Sequence, residues 1–419
     1  MPPKRGPKRG LRVTTDTTGA TTPKFIQIHF LAAWPGALLN RDDAGLAKRL
    51  PFGNATRTRI SSQCLKRHWR VADDRHALRT LAQQSGVEGL RSKIAIEREV
   101  TGPLRARLDK DMVDAVENAF ITKFYGKNAG DKQQRQALLF GRPEINWMRE
   151  EAERLLSESA SAAGVKAAAE VWIKEQKNNL NQLRDQTVLA ASLEAALFGR
   201  MVTSDTRANR DAAIHVAHAF TVHEEQAELD YFTVVDDLRD REQGDDAGAA
   251  GVFDTELTSG LYYGYVVVDV PLLVSNLTGC DRADWTGDHD RTLAAQVVEH
   301  LVHLIAEVSP GAKKGSTAPY SRAELVLVEA GDRQPRTLAN AFRDAVALVD
   351  RGSNAPLGAR AAQAMKDHLA EMDAVYETGE ARRHAALPQL KLDGVADGSL
   401  RQLADWAGAL VRDARMPAA

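Results

Sequence analysis

The first regular pattern in the chain is a short alternation of apolar and polar residues. Ile26, Ile28 and Phe30 occupy every second position, and Gln27 and His29 lie between them. Because successive side chains of a strand point to opposite faces, this period predicts a half-buried β-strand with its apolar side against a core. Gln27 and His29 are expected on the other face.

A loop with turn chemistry, Trp34-Pro35-Gly36, follows this strand and leads to a short polar strand over residues 57–60. Ser61 and Ser62 then provide a helix N-cap. Spacings of three and four sort the next residues onto two helix faces. One is an apolar stripe of Leu65, Trp69 and Ala72, and the other is a polar stripe of Gln63, Lys66, Arg67 and Arg70.

Positive charge is concentrated in this loop and helix. Residues 41–70 contain eight Lys or Arg and two Asp, whereas the whole chain has 55 basic and 57 acidic residues. Cations at helical spacing repel one another by roughly a few tenths of a kcal/mol per pair, and an anion lying across them would remove that cost. The helix N-terminus adds partial positive charge and free N–H groups. The pattern fits a phosphate-binding surface and a solvated basic face equally well.

Composition limits the class of protein. With 419 residues, of which 43% are hydrophobic and 27% charged, the chain can form two or three units with substantial cores. Cys64 and Cys280 are too few for a disulfide framework, and no apolar run predicts a membrane span, so a cytoplasmic protein is expected. Residues 1–23 predict a disordered basic tail.

The rest of the chain changes character several times. Residues 72–197 are rich in Ala, Glu, Leu and Arg, which favours helices. Residues 223–258 contain twelve acidic residues and two arginines, which argues against simple electrostatic binding of RNA there. Further strands are expected at 199–203, 213–222, 261–270 and 324–329, with a helix at 292–308.

Histidine pairs and a basic string offer other chemistries. His215 and His218 fall on opposite faces of a predicted strand, and His300 and His303 share a helix face without an evident third ligand, so no metal site is expected. Residues 311–317 lack the spacing of a phosphate-binding loop and are interpreted as a basic connector.

Several strings of the chain are distinctive when taken together. Near the start they are Asn40-Arg41-Asp42-Asp43, Pro51-Phe52-Gly53 and the stretch 58–67. Others follow at 198–204, 217–223, 230–238, 259–263, 308–313 and 338–342. In this order the strings resemble the CasC family, the type I-E form of the backbone subunit of the CRISPR Cascade surveillance complex, in the Cas-seven superfamily. The resemblance extends from Phe25 to about Asp350.

The resemblance implies an α+β fold. Its palm is RNA-recognition-motif-like (ferredoxin-like), β-α-β-β-α-β, with a helical fingers insertion and a β-hairpin thumb. After the disordered tail at 1–23, the expected divisions are palm at 24–71, fingers at 72–197, palm at 198–222, thumb at 223–258, palm at 259–350 and C-terminal helices packed on the palm at 351–419.

The resemblance also implies an RNA-binding subunit of an antiviral ribonucleoprotein complex, not an enzyme, with no cofactor or metal. Its partners would be CRISPR RNA, other copies of itself in a helical filament, other Cascade subunits and target DNA, which pairs with the guide. The guide phosphates would be bound by Arg41, Lys48, Ser61, Gln63, Lys66, Arg67 and Arg70. A displaced base would be flanked by Met201 and Phe232, for which core packing is the alternative.

Two other functions stay open. Backbone subunits of the related type III complexes carry an acidic residue on a comparable loop and cleave target RNA, and paired carboxylates such as Asp42 and Asp43 can hold a divalent ion. The more economical interpretation is that these aspartates orient Arg41 and Lys48 through ion pairs. The other alternative is a stand-alone RNA-binding protein of the same palm type. Cations of the insertion could touch target DNA, among them Lys123, Lys127, Lys132 and Arg135.

Overall fold

A large, mostly antiparallel sheet forms the centre of the molecule in a computed structural model that describes residues 22–126, 129–173, 192–201, 209–234 and 251–415. The strand order is β12-β11-β10-β1-β9-β7-β3-β2, and β6 and β8 also pair with β9. Its strands are β1 (Phe25–Ala37), β2 (Arg49–Phe52), β3 (Ala55–Ile60), β6 (Ile214–Val216), β7 (Ala219–Thr221), β8 (Ala227–Val234), β9 (Gly251–Asp269), β10 (Ala323–Gly331), β11 (Ala381–Ala386) and β12 (Ala396–Asp397). A separate two-stranded sheet pairs β4 (Gly89–Ser92) with β5 (Leu138–Gly141).

Helices cover both faces of the sheet and form most of the insertion. They are α1 (Ser62–Arg70), α2 (Leu78–Gln84), α3 (Lys110–Tyr125), α4 (Arg142–Ser157), α5 (162–173), α6 (Leu193–Phe198), α7 (Val270–Thr278), α8 (Thr292–Glu307), α9 (Lys314–Thr317), α10 (Leu357–Tyr376) and α11 (Leu400–Arg412). Among the helices in the described residues, none combines the length and hydropathy of a membrane span.

The first strand is buried on both faces, so the prediction of a half-buried strand is wrong. Ile26, Ile28 and Phe30 pack in the core that includes α1, α7, α8 and α11. On the opposite face, Leu31 packs in a second layer that includes α10, and His29 is completely buried. The helix α10 lies more than three hundred residues along the chain, which is why a local pattern could not indicate this cover.

A buried carboxylate, Glu329, organises the polar side chains on this second face. It lies 3.0 Å from His29 Nε2 and 2.6 Å from Arg336 Nη1, and Arg382 also donates to it. Burial raises the pKa of Glu329, but the hydrogen bonds from His29 and Arg336 outweigh burial and hold it well below its usual range. Burial lowers the pKa of His29. The neutral ring can therefore donate from Nε2 to Glu329 and accept the Tyr263 hydroxyl at Nδ1, 2.9 Å away.

The insertion has a hydrophobic core of its own, built from residues 95–172. Its helices confirm the helical character expected from composition, although the sheet of β4 and β5 was not predicted. Buried residues of α2 and α6, such as Leu81 and Leu197, belong instead to the main core. Arg135 is buried and pairs with Glu97 at 2.5 Å, so the suggestion that it reaches target DNA is wrong, and Lys127 lies outside the described residues.

Several elements outside the insertion occur where the sequence predicted them. Helix α8 and strand β10 match the predicted elements at 292–308 and 324–329. The strand expected at 199–203 is represented by an isolated bridge between Arg200 and Arg210, and residues 202–208 lie outside the described part. The C-terminal segment was expected to be helical, yet it also supplies β11, which pairs with β10.

Candidate nucleic-acid interface

The helix α1 begins and packs as its sequence predicts. Ser61 is its N-cap, with Oγ accepting the backbone N–H of Cys64 at 3.3 Å. The side chain of Asn40 accepts the N–H of Ser61 at 2.8 Å, which fixes the preceding loop against the helix start. Leu65 and Trp69 are buried. On the opposite stripe of α1, Gln63 and Arg67 are exposed, and Lys66 and Arg70 are half-buried.

Asp42 shapes the loop that precedes the helix. Its Oδ1 accepts the N–H groups of Ala44 at 2.9 Å and Leu46 at 3.0 Å. The ion pairs expected between the aspartates of this loop and Arg41 or Lys48 do not form within the described residues. The carboxylate of Asp42 thus has a structural role that local charge pairing did not suggest.

Two of the eight cations in residues 41–70 are used inside the protein. Arg57 is fully buried and donates to the carbonyl oxygens of Thr221 and Phe342, each at 3.0 Å. Burial lowers its pKa. Arg70, predicted to contact phosphate, lies 3.3 Å from Glu194 on α6. Its guanidinium is therefore already shared with a carboxylate.

A third cation, Arg49, joins the basic loop to the base of the acidic hairpin. Its Nε lies 2.6 Å from Glu225, and its Nη2 bonds to Glu256. The hydrogen bond that Arg49 donates to Glu256 raises the pKa of Arg49, and the same carboxylate accepts the N–H of Ala47 at 2.5 Å. We call Arg49, Glu225 and Glu256 the thumb clasp. Two carboxylates of the acidic hairpin therefore serve to pair with Arg49, and their presence needs no explanation through RNA binding.

Four predicted phosphate contacts remain directed outward. Arg41 and Arg67 are exposed, and Lys48 and Lys66 are half-buried. None of the four forms an ion pair with a residue that the structure describes. Gln63 is also exposed on α1. Burial lowers the pKa of Lys66, so an anion beside it would stabilise its charged form.

Lys48 and Arg67 both lie close enough to Cys64 to influence its pKa, which places these two cations near each other. Burial raises the pKa of Cys64 to about 11, and the nearby charges of Lys48 and Arg67 act in the opposite direction. Burial lowers the pKa of His218, and Arg59 and Lys48 lower it further. Arg59 Nη1 lies 3.2 Å from His218 Nδ1. Arg59 and His218 therefore adjoin the surface, although the sequence analysis did not include them.

The basic connector after α8 extends this surface to the hairpin. The N–H of Gly311 donates to His68 Nε2 on α1 at 3.3 Å. Two residues later, Lys313 Nζ donates to Thr255 on β9 at 2.5 Å and lies 5.7 Å from the ring centroid of Phe232. These residues do connect α8 to the elements that follow. Their contacts also place Lys313 beside Phe232, a neighbour that the sequence did not predict.

The hairpin of β8 and β9 carries exposed aromatic side chains. Phe232 lies directly opposite Phe253, and their rings stack with centroids 5.6 Å apart. Phe232 is 41% exposed and Met201, after α6, is 70% exposed, so neither is a core residue. The two side chains lie on separate elements, and residues 235–250 of the hairpin lie outside the described part.

Comparisons with known proteins identify relatives of this fold. The model of the CT1975-like protein family matches residues 26–406. A solved structure described as a CRISPR RNA-guided surveillance complex, pre-nicking, contains a chain with a TM-score of 0.70 and 25% identity, and the match covers 92% of this chain and 100% of that chain. A chain of a second CRISPR RNA-guided surveillance complex matches with a TM-score of 0.51 and 20% identity, covering 92% of this chain and 98% of the other. No curated protein sequence matches.

The family match, over residues 26–406, spans most of the chain that the structure describes. Each structural likeness covers 92% of the chain. The resemblance to the Cas-seven superfamily is thereby confirmed, and the chain belongs to the family of CT1975-like proteins.

Proposed function

We propose that this chain is the guide-RNA-binding backbone subunit of the type I-E Cascade complex. The observation that carries the proposal is the cationic surface on and beside the capped helix α1, formed by Arg41, Lys48, Lys66 and Arg67. Its cations are free of carboxylate partners within the described residues, which suits an anionic polymer. The matched chains from RNA-guided surveillance complexes support the same assignment.

The sheet supports an RNA-recognition-motif-like palm. In chain order, β1, α1, β7, β9, α8 and β10 reproduce a β-α-β-β-α-β series, and their strands lie in the order β10-β1-β9-β7. The proposed phosphate surface begins at the edge of this palm, because β3 pairs with β7 and leads directly into α1.

The chemistry of the surface suits a carrier of any guide sequence. Arg and Lys recognise phosphate charge, and the exposed Gln63 can add a hydrogen bond, without reading bases. Ser61, which was also predicted to contact phosphate, is buried and its hydroxyl oxygen caps α1. The guide would then be presented for pairing with target DNA. The hairpin, with Phe232 and Phe253 at its exposed face, would reach a neighbouring copy and separate guide bases, while Met201 contacts the displaced base.

Assembly along the guide is the direct test. Co-expression with guides of two lengths should yield particles whose mass, measured by multi-angle light scattering, rises in whole subunits with guide length. A stand-alone RNA-binding protein would instead give one protein per guide at both lengths. That outcome would contradict the proposal of a filament.

The proposal includes the absence of nuclease activity. Incubation of the assembled complex with complementary RNA and Mg²⁺ should leave the RNA intact, because the Asp42 carboxylate already accepts two loop N–H groups. Gel analysis of labelled RNA provides the measurement. Periodic cuts that disappear in Asp42→Ala but persist in the matched variant Asp43→Ala would establish the type III activity instead.

A further inference from the structure

Two histidines and a glutamate converge where the connector between α1 and α2 meets α8. The rings of His76 and His303 are stacked, with centroids 3.7 Å apart and planes inclined by 8°. The Nδ1 atom of His76 lies 3.7 Å from Glu307 Oε2, and that of His303 lies 3.6 Å from the same oxygen. One ligand atom from each residue falls within a span of 4.8 Å.

The ring nitrogens that face Glu307 lack ordinary partners. The Nδ1 atoms of His76 and His303 are both buried and have no hydrogen bond to any described group. His303 is only 7% exposed, so its unpartnered nitrogen carries a desolvation cost. A bound metal ion would give these two buried nitrogens the partner that they lack.

From this geometry we propose that His76, His303 and Glu307 form a zinc site. Tetrahedral Zn²⁺ with bonds of about 2.0 to 2.2 Å places its ligand atoms roughly 3.3 to 3.6 Å apart. The two nitrogen-to-oxygen distances are close to that spacing already. Because the two rings are stacked almost parallel, zinc binding would require them to turn out of the stack so that both Nδ1 lone pairs point at one ion. Two imidazoles and one carboxylate suit zinc, whereas Mg²⁺ and Ca²⁺ prefer oxygen ligands.

Neighbouring groups can supply a fourth zinc ligand, and they leave the Glu307 carboxylate available to bind the ion. Asp74 Oδ1 lies 3.4 Å from His76 Nδ1, so this carboxylate or a water molecule can complete the tetrahedron. Arg322 approaches the other oxygen of Glu307, Oε1, at 3.6 Å and is highly exposed, so solvent screens its charge. Oε2 remains directed towards the imidazoles.

The site would fix the connector after α1 onto α8. His76 lies between α1 and α2, and the other two ligands lie on the last two turns of α8. Zinc would therefore join two elements that are distant in sequence and would stabilise the folded chain by binding it in preference to the unfolded one. This inference does not depend on the proposed guide-RNA function.

Zinc binding by the purified full-length chain, without RNA, tests the site. We expect about one Zn²⁺ per chain by calorimetric titration, visible absorption bands of tetrahedral coordination with Co²⁺, and a rise in melting temperature with Zn²⁺ that Mg²⁺ does not produce. His76→Ala and Glu307→Gln should each weaken zinc binding by at least about 10- to 100-fold, the range found when even outer-shell partners of a metal are lost.

His215→Ala is the matched control, because His215 is an exposed histidine on β6 outside the cluster. It should bind zinc like the unchanged chain. Circular dichroism of His76→Ala in EDTA should match that of the unchanged chain in EDTA, which separates ligand loss from misfolding. The proposal is overturned if the unchanged chain does not bind Zn²⁺, or if His76→Ala and Glu307→Gln bind it with unchanged affinity.

Discussion

Guide RNA should dissociate from a Lys66→Glu, Arg67→Glu double variant at physiological salt. A hydrogen bond to a charged group contributes about 1.5 to 3 kcal/mol, which corresponds to about 10- to 100-fold in affinity for each contact, and reversal of charge adds repulsion from phosphate. The single change Lys66→Ala should lower the dependence of log K on log salt by about 0.7 to 0.9. Fluorescence anisotropy over a series of salt concentrations, with two unrelated guide sequences, measures both effects.

Two further variants sharpen this measurement. Arg401→Ala removes a highly exposed cation on α11 and should leave guide affinity unchanged. Arg70→Ala should weaken binding less than Lys66→Ala does, because Arg70 is already paired with Glu194. Loss of affinity for one guide sequence but not the other would show that α1 reads bases and would contradict the phosphate assignment.

Removal of the carboxylate at the centre of the buried network should strongly destabilise the chain. Glu329→Ala removes the fully buried carboxylate that Arg336 and Arg382 share, and leaves these half-buried arginines with Glu380 and Asp373 as their acidic partners. Breaking a buried ion pair costs about 3 to 5 kcal/mol, and the remaining partners should place the loss near the lower end of that range. Urea denaturation followed by tryptophan fluorescence gives the change in free energy of unfolding. Glu329→Gln, which keeps the shape and some hydrogen bonds, should lose less.

An exposed ion pair provides the control for this variant. Asp393 is paired with Lys366 at 3.0 Å and its side chain is 87% exposed, so Asp393→Ala should change stability by about 1 kcal/mol or less. Equal unfolding midpoints for Glu329→Ala and Asp393→Ala would contradict the importance of the network. Because the pKa of Glu329 is lowered in the fold, its contribution is present above the ordinary value of 4.5 and is lost as pH falls below it. The difference between Glu329→Ala and the unchanged chain should therefore shrink in acid.

Features set by neighbouring residues were predictable from the sequence. The Ser61 cap, the buried pair Leu65 and Trp69, and the strand period around Ile28 all depend on contacts within a few positions. The charged strand β11 was missed because Arg382 enters the buried network and Arg383 lies over the ring of Trp406. The polar side chains of β11 therefore contact other parts of the protein, whereas a charged sequence is usually taken to face solvent.

The availability of each cation could not be predicted, because its partner lies far along the chain. In the sequence, Arg49 and Arg70 look no different from Arg67. In the structure, Arg49 forms an ion pair with Glu256, and Arg70 forms one with Glu194. For the same reason the sequence did not indicate the cluster of His76, His303 and Glu307. His303 and Glu307 lie on α8, and His76 reaches them only when the connector after α1 folds against that helix. A count of charged residues over a stretch of sequence predicts the sign of the net charge of a surface. It does not predict which of those residues lack an ion-pair partner.

The thumb clasp also makes the two ends of the proposed interface thermodynamically interdependent. Arg49 belongs to the strand that follows the guide-binding loop, and Glu225 and Glu256 belong to the base of the hairpin. If a neighbouring copy pulls the hairpin away, it must also disturb the loop that holds Lys48. Any change in guide affinity caused by the neighbour must then be matched by an equal change in neighbour affinity caused by the guide. Filament growth and guide capture would consequently be cooperative, with Arg49 as one point of coupling.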